Sequence, residues 1–153
     1  MAYAKGTEVS VAKSQAEIQN IIMRYGATTF MFGQSLDGAS IAFEAKGRRV
    51  QFFLPLPKKD ERRFLVDGRN YRRTPEKQHI AWEQACREKW RSLCLCIKAK
   101  LEAVDAGITT FEDEFMAHIV MPDGLTVGQH IRPRIASAYE SGTMLPMLPG
   151  PTQ

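Results

Sequence analysis

Seven apolar side chains recur at helical spacing between Trp82 and Val104, and they constrain the fold more than any other feature of the chain. Trp82, Cys86, Trp90, Leu93, Ile97, Leu101 and Val104 follow one another at steps of 4, 4, 3, 4, 4 and 3. That spacing puts all seven on one stripe of an α-helix. Start and stop signals flank the stripe. Thr74 suits an N-cap, Pro75 a first helical position and Gly107 the residue that ends the last turn. The expected helix covers residues 75–106 and is roughly 45 Å long at about 1.5 Å per residue. Such a helix either crosses a whole small domain or projects from it to meet a partner.

The chain before it reads as one helix and three strands. Ser14 and Glu17 have the spacing of a capping box, in which each side chain satisfies the other's free backbone amide. They predict a helix over residues 15–25, with Ile18, Ile21, Ile22 and Tyr25 on its buried face and Gly26 as its cap. Residues 28–33 are rich in β-branched and aromatic side chains, and Ser35-Leu36-Asp37-Gly38 has turn chemistry. Residues 40–44 alternate, with Ile41 and Phe43 on one face. Residues 48–56 also alternate, with Val50, Phe52, Leu54 and Leu56 inward and Arg49, Gln51 and Phe53 outward. Ala45-Lys46-Gly47 joins the two, and Pro55 and Pro57 close the last strand. Residues 58–74 form a connector in which Asp67-Gly68 turns between two short extended pieces.

Beyond Gly107, Thr110 and Asp113 predict a helix over residues 110–120 with Phe111, Phe115 and Ile119 inward. Pro122-Asp123-Gly124 breaks it. Thr126 and Gln129 form a second capping box, for a helix that Pro133 kinks or restarts and Gly142 ends. The fold class is therefore α+β: an N-terminal helix, a three-stranded antiparallel meander, a long helix packed across the sheet, and short C-terminal helices. A three-stranded sheet with an apolar face needs a cover, and the long helix supplies it. Residues 1–12 read as a loosely ordered arm, 13–142 as one domain, and 143–153, with three prolines, as an irregular tail.

At 153 residues the chain has the size of a single domain. No apolar run approaches the roughly 20 residues that span a bilayer, and residues 1–14 lack the pattern of a secretory signal. A cytoplasmic protein is expected, with no membrane partner. The three cysteines, Cys86, Cys94 and Cys96, lie in one apolar stretch. They read as reduced thiols buried on the helix rather than a disulfide framework or a zinc site.

Charge is the main functional signal. Residues 1–46 hold four basic and four acidic side chains, residues 47–100 fifteen and six, and residues 101–153 two and seven. The middle thus carries +9 of formal charge and the C-terminal third −5, within a net charge of +4. Four doublets carry much of the excess: Arg48-Arg49, Lys58-Lys59, Arg62-Arg63 and Arg72-Arg73. Arg69 adds to them, and Tyr71, Phe64 and Phe53 interleave. Cations neutralise phosphates and aromatic faces stack bases, so the pattern fits nucleic-acid binding. On the long helix Arg87, Arg91 and Lys98 share one stripe beside the apolar seam. The same charges also fit a solvated surface paired locally with Asp60, Glu61, Glu83 and Glu88, or a dock for an acidic protein.

The segments RYGATTFMFG (24–33), GRRVQFFLPLP (47–57), IKAKLEAVDAGITTFEDEFMAHIVMPDG (97–124) and MLPMLPG (144–150) resemble a family of small uncharacterised proteins encoded by phages and prophages. The resemblance covers about residues 12–150. It implies a setting among phage replication and recombination functions, in the host cytoplasm, and it brings no catalytic residues. A three-stranded meander followed by a long helix is also similar, in element order alone, to the core of single-strand annealing proteins.

Three functions follow. The first is a non-catalytic accessory protein that binds DNA or RNA through residues 48–73 and 87–98. The second is an interaction module, an inhibitor or adaptor of a host machine, that docks through the long helix and the tail; the seamed helix could equally serve a homo-oligomer. The third is an enzyme, whose best pair is Glu114 and His118, four apart on a helix. The adjacent acids Glu112, Asp113 and Glu114 suit a helix N-terminus better than a magnesium site. No phosphate loop, dinucleotide fingerprint or nucleophile elbow is present, and no cofactor or metal is expected.

Overall fold

The computed structural model describes residues 2–144. Its elements, in order, are α1 (Val11–Tyr25), β1 (Thr29–Gln34), β2 (Gly38–Ala45), β3 (Arg48–Pro55), α2 (Arg62–Leu65), α3 (Pro75–Asp105), α4 (Phe111–Phe115), a 3-10 turn (Met116–His118) and α5 (Val127–Ser141). The strands form an antiparallel meander in the order β1-β2-β3. Phe30, Phe43 and Val50 align across it, as do Phe32, Ile41 and Phe52. The inner face carries Ala39, Ile41, Phe43, Ala45, Val50, Phe52 and Leu54, all buried. Lys46 and Gly47 turn β2 into β3 with φ of 52° and 72°, the two-residue hairpin geometry that matches strand twist.

Two helices cover that face. From α3 come Trp90, Leu93, Cys94, Ile97 and Leu101, and from α1 come Ile18 and Ile22; all belong to one buried cluster with the sheet, and Cys86 of α3 is buried beside it. The long helix has the cap and end read from the sequence: the Thr74 side chain accepts from Lys77 N–H, Pro75 is in the first turn, and Gly107 follows with φ 72°. Cys94, between the seam positions, is as buried as Ile97. Phe111 and Phe115 close the far end, with Phe115 edge-on to Phe43 at 6.0 Å and to Phe52 at 6.2 Å.

Several local expectations are overturned. The capping box of α1 is not made by Ser14 and Glu17. The helix starts four residues earlier, at Val11, with Ser10 accepting from Lys13 N–H. Ser14 is buried inside the helix and its hydroxyl has no hydrogen-bond partner among the described residues. The arm is tied to α3: Ala4 is buried, Gly6 N–H donates to Glu88, and Gln84 donates to the Thr7 carbonyl. The helix expected over 110–120 ends as a 3-10 turn at His118. Ile119 and Val120 are extended instead, bridging Val50 and Thr126, and Val120 N–H donates to the Arg49 carbonyl. Cys96 is exposed, unlike Cys86 and Cys94. Pro133 does not restart α5, which continues from the Thr126–Gln129 capping box to Gly142 with the proline inside it. The tail beyond residue 144 lies outside the described residues.

Candidate nucleic-acid interface

Pro55 and Pro57 end β3 because neither can donate to a ladder, and the connector leaves the sheet at Lys58. Its first piece is one helical turn, α2, rather than an extended segment. Phe64 in that turn is 4% exposed and anchors the connector to the domain. The chain then reverses through Asp67–Tyr71. The Asp67 carboxylate accepts from the N–H groups of Arg69 (2.8 Å) and Tyr71 (3.0 Å), and Asn70 adopts φ 70°. Val66 bridges Arg72 across this turn, and Arg73 N–H donates to the Leu65 carbonyl. At the connector's start, the Trp82 ring N–H of α3 donates to the Pro57 carbonyl at 2.8 Å, and the Lys59 ammonium lies 4.4 Å from the Trp82 ring centre. The connector is thus a stapled excursion, fixed at both ends and across its middle.

That excursion carries the basic side chains out of the domain. Lys58, Lys59, Arg62, Arg63, Arg69 and Arg72 are exposed and Arg73 is half-buried. Their acidic partners are few. Glu61 holds Arg63 at 2.7 Å and accepts the Lys58 N–H at 2.8 Å, and these contacts, the backbone one first, hold its carboxyl below the usual carboxylate range. Lys58 reaches Asp37 at 3.8 Å. Arg62 binds the neutral Asn70 side chain at 2.8 Å. Among the described residues Arg69, Arg72 and Arg73 have no ion-pair partner. Tyr71, 70% exposed, stands among them.

The other candidate residues are elsewhere. Arg48 and Arg49 lie at the opposite end of β3, about 23 Å from the connector at some 3.3 Å per residue. They face Glu112 at 3.5 Å and Glu44 at 2.9 Å. The helix stripe is not an open surface. Arg91 and Lys98 both bind Glu17 of α1, Lys98 at 2.8 Å. Those two hydrogen bonds, Lys98 first, lower the Glu17 pKa to about 2. Arg87 donates to Gln84 on its own helix at 3.0 Å. The doublets and the stripe therefore form three separate patches, of which only the connector is largely free of acidic partners. The expected local partners are also mostly absent: Glu83 pairs with His79, and Glu88 holds Gly6 and Gln84.

Compared with known proteins, the chain matches no family model, no curated protein and no solved structure.

Two further groups join the connector patch. Lys77 is exposed in the first turn of α3, and His79 lies 5.7 Å from Trp82, so Lys59, Gln78, His79 and Trp82 line a shallow pocket beside the basic loop. Their position just past the connector was the available signal. The Glu114–His118 pair does not form. Glu114 pairs with Lys100 at 3.3 Å, whereas His118 stacks on Phe52 at 4.1 Å. Burial, and then the Lys100 charge, push the His118 pKa down. Burial also pushes up the thiols of Cys86 and Cys94. No helix among the described residues is long and apolar enough to cross a membrane.

Proposed function

We propose that this protein is a non-catalytic nucleic-acid-binding protein, a phage or prophage accessory factor of the host cytoplasm, that grips phosphates with its connector. One observation carries the reading: seven cations and an exposed tyrosine stand on a loop stapled in place by Phe64, Asp67 and Trp82, with carboxylates among the described residues pairing only Lys58 and Arg63. A preorganised loop of this kind presents several phosphate contacts at little ordering cost, and Tyr71 offers a face for an unpaired base. The competing reading, an interaction module that docks through the long helix and the tail, has less support on that helix, because Trp90, Leu93, Ile97 and Leu101 of its seam lie in the core and Val104 packs against it.

Fluorescence polarisation with single- and double-stranded DNA and RNA tests the proposal. Binding should weaken linearly in log affinity against log salt, by a slope of about 0.9 for each duplex phosphate contacted. Replacing Arg62, Arg63, Arg72 and Arg73 with alanine should cost at least tenfold. Replacing Arg48 and Arg49, or Arg132 and Arg134, should cost much less. No binding at about 50 mM salt, where phosphate contacts are strong, would falsify it, as would equal losses in all three variants.

A further inference from the structure

The two edges of the sheet are treated differently. The β3 edge is guarded by Arg48, Arg49 and Pro55, and Ile119–Val120 cross it. The β1 edge has none of these devices. Among the described residues β1 pairs only with β2, and five of its six residues are exposed. Met31 and Phe32 are 53% and 44% exposed. The chain from Tyr25 to Leu36 contains no Asp, Glu, Lys, Arg or Pro, in a protein one-quarter of whose residues are charged. Soluble proteins rarely leave a flat, neutral, apolar edge uncovered, because it templates another strand.

The backbone sets the geometry of what fits. Ser35 N–H is bonded to the Gly38 carbonyl, and antiparallel pairs alternate between bonded and non-bonded positions. The N–H and C=O groups of Phe30, Phe32 and Gln34 therefore point to the unpaired side. We infer that this edge pairs, antiparallel, with β1 of a second copy, Phe32 crossing Phe32 and Phe30 opposite Gln34, to make a continuous six-stranded sheet. This register satisfies all three outward residues of each copy.

Charge favours a second copy over other occupants. Two chains with a basic middle repel wherever those regions meet. An antiparallel β1 pair puts only uncharged side chains at the seam. On the α1 side, the residues that border Phe30 and Phe32 are Ala12, Gln15, Ala16 and Gln19, again uncharged. The two β3 strands, which lead into the basic connectors, become the outer strands of the sheet, about 24 Å apart at some 4.8 Å per strand. That exceeds two Debye lengths at physiological salt, each about 8 Å. A nucleic acid finds no cation at this edge, and a charged partner finds no counter-charge.

Sedimentation equilibrium of the full chain tests the inference, with hydrogen exchange read at single amides. The wild type should sediment at twice the chain mass at tens of micromolar, and the amides of Phe30, Phe32 and Gln34 should exchange more slowly as concentration rises. Met31→Lys places a charge on the exposed face beside the crossing point, and Gln34→Pro removes one outward donor. Each should shift the mass to that of one chain while circular dichroism stays unchanged. If either variant unfolds, the concentration dependence of the three wild-type amides decides alone. A wild type that stays monomeric at high micromolar concentration overturns the inference, as does a dimer in which those three amides exchange at the monomer's rate.

Discussion

Glu17 is one carboxylate on which two cations of another helix converge, and it fastens α1 to α3 across the top of the core. Its pKa of about 2, against an ordinary 4.5, means that the folded chain binds fewer protons there than the unfolded chain. Its contribution is complete above about pH 4.5 and is lost as pH falls toward 2. Glu17→Gln should cost about 1–2 kcal/mol at neutral pH, the pair being partly screened by solvent, and should flatten the acid limb of a stability–pH curve from chemical denaturation. Ser14 makes the opposite case. Its hydroxyl is fully buried with no partner, so it keeps a desolvation cost and has lower helix propensity than alanine. Ser14→Ala should stabilise the fold by about 1 kcal/mol, a rise in Tm of roughly 2–4 °C by calorimetry. Neither role was legible in the sequence. Locally Ser14, with Glu17 three residues on, is the better cap, and only its burial decides for Ser10. Glu17 meets partners 74 and 81 positions away, a pairing that no local pattern encodes.

At the scale of elements, the reading succeeded where a signal was local and redundant. α3 combines a seven-residue seam with Thr74, Pro75 and Gly107, and the β2–β3 hairpin combines strict alternation with Lys46-Gly47. The same holds for the Thr126–Gln129 box. It failed where a tertiary contact outweighed a weak local preference. Ile119 and Val120 sit at the end of a helical pattern, but as β-branched residues beside β3 they find a better partner in its open edge. The connector shows both outcomes: the Asp67 turn was legible, whereas α2 was not, because one turn of Arg62–Leu65 forms only when Phe64 has somewhere to be buried. Phe64→Ala should therefore cost about 3 kcal/mol or more and, on the proposed function, should weaken nucleic-acid binding as well by loosening the connector that Phe64 anchors. Proteolysis within residues 58–74 and polarisation on the same variant would read both effects.

Over the whole molecule, the basic middle is less a band than a distribution among duties. Arg91 and Lys98 hold two helices together, Arg48 and Arg49 meet acidic neighbours at one end of the sheet, and the connector carries its cations outward. The sequence made the excess visible and its division invisible, because net charge over a stretch of chain counts a cation in the same way whether it faces water or a carboxylate. The acidic C-terminal third does fold back, through Glu112 on Arg48 and Glu114 on Lys100, but at the end of the domain away from the connector.

Helix α5 buries no residue fully. Its N-terminal end rests on the 3-10 turn, where Gly128 admits the Ala117 carbonyl at a distance that a Cβ would close to 2.9 Å. Pro133 removes one of its internal backbone donors. The core would lose little if this helix detached, so its opening is governed by a local free energy well below that of global unfolding. In native-state hydrogen exchange the amides of residues 131–141 should be replaced by deuterium long before those of Leu93–Leu101, through subglobal opening that leaves the sheet intact. The expected behaviour is that of two thermodynamic units, a cooperative body and a C-terminal helix that opens on its own timescale.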